Sequence, residues 1–174
     1  MKLLATLLFA LFLSNYLFAQ SLQKGTFQVG ASGFPVVYLD SSVPTGYSAK
    51  FNCGIFIKNN LSIGFNPFVG KVEDITSFGS LLYLRYYFFN KKRTSVFIDG
   101  GIGLGNVRYS ESPQFDGYMN SIVLGPGLNY FLSEKLSLEF SLQYARLRNI
   151  SFPEDTELGN TVLPAIGIQY YFHK

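Results

Sequence analysis

Leu136-Ser137-Leu138-Glu139-Phe140-Ser141-Leu142-Gln143-Tyr144 alternates apolar and polar side chains without a break. A period of two puts successive side chains on opposite faces of an extended chain, so this stretch is a β-strand with one apolar and one polar face. The same alternation recurs backwards along the chain. Tyr47, Ala49, Phe51, Cys53, Ile55 and Ile57 share one phase, as do Leu61, Ile63, Phe65 and Val69. Eight such strands fit between Gly25 and Phe172, at roughly 25–38, 47–57, 61–69, 78–89, 95–109, 118–131, 136–146 and 161–172.

Both the start of the chain and its composition restrict where such strands can sit. Lys2, the apolar run Leu3 to Leu13 and the segment Leu17-Phe18-Ala19-Gln20 have the form of a secretory signal peptide, with cleavage expected after Ala19. Residues 1–19 are thus read as the signal and 20–174 as one domain. Charged residues are only 14% of the chain, against the ~25% usual for soluble domains. Glycine (17), Phe (18) and Tyr (12) are abundant, and the polar phase is mostly Ser, Gly, Asn, Gln and Thr, which suits an enclosed lumen. Exported, all-β and apolar on one phase, the chain reads as an eight-stranded antiparallel up-and-down transmembrane β-barrel. Hydrocarbon would lie outside and a polar lumen inside, in a bacterial outer membrane. A soluble secreted barrel is the alternative, and recovery without detergent would favour it.

The connections alternate in character. Turns at Lys58-Asn59-Asn60, Asn90 to Thr94 and Ser133-Glu134-Lys135 are short. Those near 39–46, 70–77, 110–117 and 147–160 are expected to be longer and carry most of the acidic residues. Short periplasmic turns and longer extracellular loops are the asymmetry of outer-membrane barrels. Tyr86, Phe88, Tyr130, Tyr170 and Phe172 cluster near strand ends and are expected to form the periplasmic aromatic girdle. Tyr38, Tyr47, Phe68, Phe78, Tyr109 and Tyr118 fall toward the other rim. Pro35, Pro67, Pro126 and Pro164 lie inside strands, where a closed sheet offers no edge for a residue lacking an N–H. Bulges, or strand ends above the bilayer, are the expected accommodation.

From Gly167 the chain reads Gly-Ile-Gln-Tyr-Tyr-Phe, which resembles the C-terminal β-signal read by the barrel-assembly machinery, through Gly167, Tyr170 and Phe172. Ala165 stands where a polar residue is usual, and His173-Lys174 follow the last aromatic. Over its whole mature length the chain resembles the eight-stranded outer-membrane barrel family, relatives of the OmpA transmembrane domain and OmpX. Leu84-Arg85-Tyr86-Tyr87-Phe88 and the Phe-Ala-Gln cleavage region resemble Bacteroidetes members. The resemblance implies contact with outer-membrane lipid and lipopolysaccharide, and with the assembly machinery during biogenesis.

Among the polar-phase residues, Arg85 and Asp99 stand out. A hairpin turn centred on Lys92 sets them opposite each other, where unlike charges attract. Glu139 is at a similar depth, and Lys50 is a second lumen charge nearer the top. Burial obliges such charges to pair, so a structural ionic plug is expected, in a barrel whose eight strands leave an interior that side chains largely fill. In Gly101-Ile102-Gly103-Leu104-Gly105 the spacing of a dinucleotide fingerprint is missing. Gly101 is instead expected to leave room for the ring of Tyr83.

No catalytic residues, cofactor or metal are assigned. The only histidine is His173 and the only cysteine is Cys53, read as a small hydrophobe. The net charge of +3 forms no basic stripe, so nucleic acid is not implied. The expected role is therefore non-enzymatic, structural or surface-interacting through the loops. Two alternatives remain open: an accessory subunit of an envelope secretion or transport complex, and a narrow pore for small or hydrophobic solutes.

Overall fold

The structure, a computed structural model, describes residues 22–38, 46–91, 93–111, 116–149 and 156–172. The expected signal segment, His173 and Lys174 lie outside them. The strands are β1 (Phe27–Tyr38), β2 (Gly46–Lys58), β3 (Leu61–Val72), β4 (Ile75–Lys91), β5 (Thr94–Tyr109), β6 (Gly117–Phe131), β7 (Leu136–Asn149) and β8 (Thr156–Phe172). They pair in sequence order, all antiparallel, and β8 pairs back onto β1 to close the barrel. Followed once around, register partners lead from Phe27 through Ile55, Ile63, Leu84, Gly100, Leu124, Tyr144 and Val162 to Val37, a stagger of ten residues. Closure with such a stagger tilts strands by roughly 35–45°. Strands of 12 to 17 residues exceed the ~9–11 that cross a bilayer at that tilt.

Alternation becomes inside and outside. Glu139 and Gln143 are buried in the barrel, while Phe140 and Leu142 are 42% and 52% exposed on its exterior. Leu104, Ile122 and Ile166 are each more than 60% exposed, part of an apolar belt far larger than soluble monomers tolerate. The turn end is tight. Asn60 takes a positive φ of 65° and Ser133 Oγ accepts from the amides of Lys135 and Leu136. Leu22 folds across this end, where its carbonyl accepts from the Asn60 amide at 2.9 Å and its side chain is buried.

Several expectations are corrected. The connection expected near 70–77 is a two-residue turn, Glu73-Asp74, with Glu73 at φ 48°. The prolines do not sit at bulges, which occur at Phe56/Lys58, Tyr87/Phe89 and Leu147/Arg148. Each proline instead pairs normally on one side and coincides with missing pairs on the other. Pro35 meets Tyr47 and Pro164 meets Leu142, while the β1–β8 ladder has no pairs between Gly33↔Ile166 and Val37↔Val162. Pro126 meets Ile98 beside a gap in β6–β7, and Pro67 meets Ser80 beside a gap in β2–β3. Register continues unchanged across all three gaps, so the sheet omits bonds that proline is unable to donate and stays closed.

The expected polar lumen is also only partly present. Polar side chains fill its middle, but toward the loop end Val36, Val72, Val107, Met119, Val123 and Ala145 face inward, with Ser48, Ser121 and Thr161 among them. Phe68 belongs to this inner lining rather than to the outer rim.

Candidate functional site: the lumen and its ionic knot

Arg85 on β4 is 1% exposed and stands opposite Asp99 of β5 in the ladder. Its guanidinium donates to both oxygens of Glu139 (Nη1 to Oε2 2.6 Å, Nη2 to Oε1 3.1 Å) and to Asp99 Oδ2 at 2.8 Å. Bidentate geometry of this kind suits the planar fork of arginine. The other Asp99 oxygen accepts from Gln143 Nε2 at 2.9 Å, and Gln143 Oε1 accepts from Lys50 Nζ at 2.9 Å. A continuous chain of hydrogen bonds thus runs Glu139–Arg85–Asp99–Gln143–Lys50 and ties β7, β4, β5 and β2 together across the lumen. Two cations balance two anions. Lys50, read from sequence as a separate charge nearer the top, reaches the others through Gln143.

Packing supports the knot from the turn side. The Phe97 ring lies 3.9 Å from the guanidinium carbon, close enough for cation–π attraction. Gly127 makes this possible, since a Cβ there would lie 2.1 Å from the Phe97 ring. The Tyr83 ring lies over Gly54 and Gly64, not over Gly101, where an added Cβ would instead meet the Leu82 carbonyl at 2.7 Å. Beneath, Gln28 donates to Tyr83 Oη at 2.6 Å and Asn129 donates to Tyr171 Oη at 2.7 Å. Phe56, Tyr87, Phe97, Phe131 and Tyr171 then close ranks with Leu22 in an aromatic plug, with ring centroids 5.4–6.5 Å apart. Gln28, Tyr87, Phe97, Asn129, Gln143 and Tyr171 were not singled out in the sequence, although Tyr87, Phe97 and Gln143 share the strand phase of Arg85, Asp99 and Glu139. Phase alone would have found those three.

The other sequence-marked residues face outward or line the seam. Tyr86, Phe88, Tyr170 and Phe172 are exposed on the exterior at the turn end, and Tyr130 is half-buried. Tyr170 and Phe172 stack edge to face at 4.8 Å, and Phe27 joins Phe172 across the β8–β1 closure at 6.0 Å. Gly167 lies opposite both Ser32 and Glu139. A Cβ at Gly167 would come within 2.6 Å of the Ala31 carbonyl and of Ser32, so close strand approach beside the knot is reason enough for glycine there.

No family model matches the sequence, and no curated protein does so significantly. The fold, however, is that of small eight-stranded outer-membrane β-barrels. The N-terminal β-barrel domain of Pseudomonas aeruginosa OprF superposes with a TM-score of 0.65 at 14% identity, over 88% of this chain and 100% of that one. Neisserial surface protein A gives 0.64 at 15% identity, over 84% and 96%. The outer-membrane protein OprG from Pseudomonas aeruginosa gives 0.60 at 14% identity, over 90% and 100%.

Proposed function

We propose that this chain is a non-enzymatic integral protein of the bacterial outer membrane whose lumen is closed and whose work is done at the loop end, through contact with partners or the surrounding surface. The single observation that carries the reading is the Glu139–Arg85–Asp99–Gln143–Lys50 chain across the lumen, backed by the aromatic plug. Eight-stranded barrels leave only enough interior for side chains or one small ligand, and here the plug and the knot fill the interior from the turn end up to Lys50. The apolar belt supports membrane residence, and the expected signal segment supports export. With one histidine and one cysteine in the chain, nucleophilic or metal-assisted chemistry has little to draw on. Exposed carboxylates at the loop end, such as Glu73 and Asp116, offer contacts to lipopolysaccharide through divalent ions. Gly167, Tyr170 and Phe172 fit recognition by the assembly machinery.

Purified barrel in planar bilayers tests this reading. No steady solute-sized current is expected, and a persistent conductance would overturn the closed lumen. Fractionation tests location: release into the periplasm without detergent would contradict membrane integration.

A second reading, an accessory subunit of a larger envelope complex, draws on one feature of the exterior. Pro35, Pro126 and Pro164 meet in a shallow groove with Gly33, Leu142 and Ile166, at the interrupted β6–β7 and β8–β1 ladders. Stoichiometric copurification of a partner after gentle extraction, lost on Gly33→Trp, would favour it.

A further inference from the structure

Above the ionic knot the lumen holds a cavity of about 80 Å³. A single ordered water needs ~10–15 Å³ and two to four polar partners, so the space exceeds one water several-fold. Its wall is mostly apolar, with the hydroxyls of Ser48, Ser77, Ser121 and Thr161 set among aliphatic side chains. Val36, Val72, Met119, Val123 and Ala145 are buried and apolar. Two of the hydroxyls on that wall turn away to the backbone, Ser48 donating to the Val69 carbonyl at 2.8 Å and Thr161 to the Ala145 carbonyl at 3.3 Å. The strongly polar groups at the floor are Lys50 and Gln143, 2% and 4% exposed.

Those two differ in what they have left to give. Gln143 engages both ends, its amide nitrogen on Asp99 and its oxygen on Lys50. The Lys50 ammonium donates to Gln143 and faces the Phe34 ring at 5.8 Å; among the described residues its remaining N–H groups meet no acceptor. Charge decides the kind of acceptor that fits. Lys50 and Arg85 already balance Asp99 and Glu139, so an added carboxylate would leave this part of the lumen net negative, whereas a neutral oxygen would not.

We propose that this cavity is a binding site for a small, mostly apolar molecule bearing one uncharged hydrogen-bond acceptor, such as a short aliphatic alcohol, aldehyde or ketone. Its oxygen accepts from Lys50 and its carbon chain lies against the Val–Met–Ala wall. The site needs the floor to be closed, as in the reading above. The two claims fail separately, because a conducting lumen shows as current and an absent site shows in the ligand titration.

Met119 provides the probe, being the only methionine after residue 19. Barrel carrying ¹³C-methyl methionine is titrated in lipid nanodiscs with 1-butanol and, separately, with butyrate at neutral pH. A saturable Met119 methyl shift with butanol is expected, half-complete at a concentration on the order of millimolar for five heavy atoms. Butyrate is expected to bind at least tenfold more weakly. Ala145→Phe fills the cavity and should abolish the saturable shift while leaving the folded amide spectrum in place. Lys50→Met should weaken butanol at least fivefold without changing the response to cyclopentane, and if that variant does not fold, Ala145→Phe decides. A shift that rises linearly and survives Ala145→Phe is partitioning into lipid and overturns the site. Butyrate matching butanol overturns the neutral head.

Discussion

The two ends of the lumen use the same strands and the same alternation phase, yet they are packed on opposite principles. From Leu22 to Lys50 the interior is an ionic knot above an aromatic plug, with the charged groups of the knot hydrogen-bonded across the barrel. From Val36 to Val123 it is a largely apolar cup, dotted with hydroxyls, around a cavity of about 80 Å³. Alternation therefore specifies which face a residue takes and leaves open what that face contains. Pairing is concentrated where β4, β5 and β7 meet at Arg85, and unfilled volume is left toward the loop end.

Removing Arg85 should have the largest effect. Arg85→Met leaves two buried carboxylates with only Lys50 nearby, and breaking a buried pair in this way costs about 3–5 kcal/mol. Urea unfolding in lipid vesicles, followed by circular dichroism, should show that loss or no folded barrel at all. The double variant Arg85→Met/Glu139→Met should lose less than the two single changes summed, because no carboxylate is then stranded at position 139. Near-additivity would dissolve the knot as a unit.

Gly127→Ala comes next. Its Cβ would displace the Phe97 ring from beneath the guanidinium, for roughly 1–3 kcal/mol. Volume added in the cup should behave in the opposite sense. Ala145→Phe is expected to leave stability unchanged or raise it by about 1 kcal/mol, since filling a cavity recovers lost contacts. A loss above ~2 kcal/mol would mean that the cup is as tightly specified as the knot. Least of all, amides around the prolines at 34–36 and 163–165 should exchange with solvent deuterium faster than those of the uninterrupted centre of β4–β5.

Much of this was legible in the sequence, for reasons that differ by residue. Period two at 136–144 and in β2 defined the strands and their outer face, and counting from a turn centred on Lys92 put Arg85 opposite Asp99. The pairing itself starts at Lys91 and Thr94, and the bulge at Tyr87/Phe89 restores that register. A short turn fixes register, and register fixes neighbours. Contacts between strands distant in the sequence were harder. Gln143 joins Lys50 to Asp99 from a third strand, and no local pattern encodes that meeting. The Glu73-Asp74 turn carries no glycine or asparagine, so its left-handed residue gave no warning and a longer loop was expected. The prolines signalled a missing donor but not which of two neighbouring strands would go without. The apolar upper lumen was hidden because Val36, Val72 and Val123 read equally well as lipid-facing residues of slightly shifted strands.

Everything rests on which face of β7 meets acyl chains. Single cysteines at positions 138 to 143, in a Cys53→Ser background, can carry a spin label in lipid bilayers, with relaxation measured by dissolved oxygen. Labels at 138, 140 and 142 should relax fast, as residues in hydrocarbon do, and those at 139, 141 and 143 slowly. The reverse alternation, or none, would contradict the account.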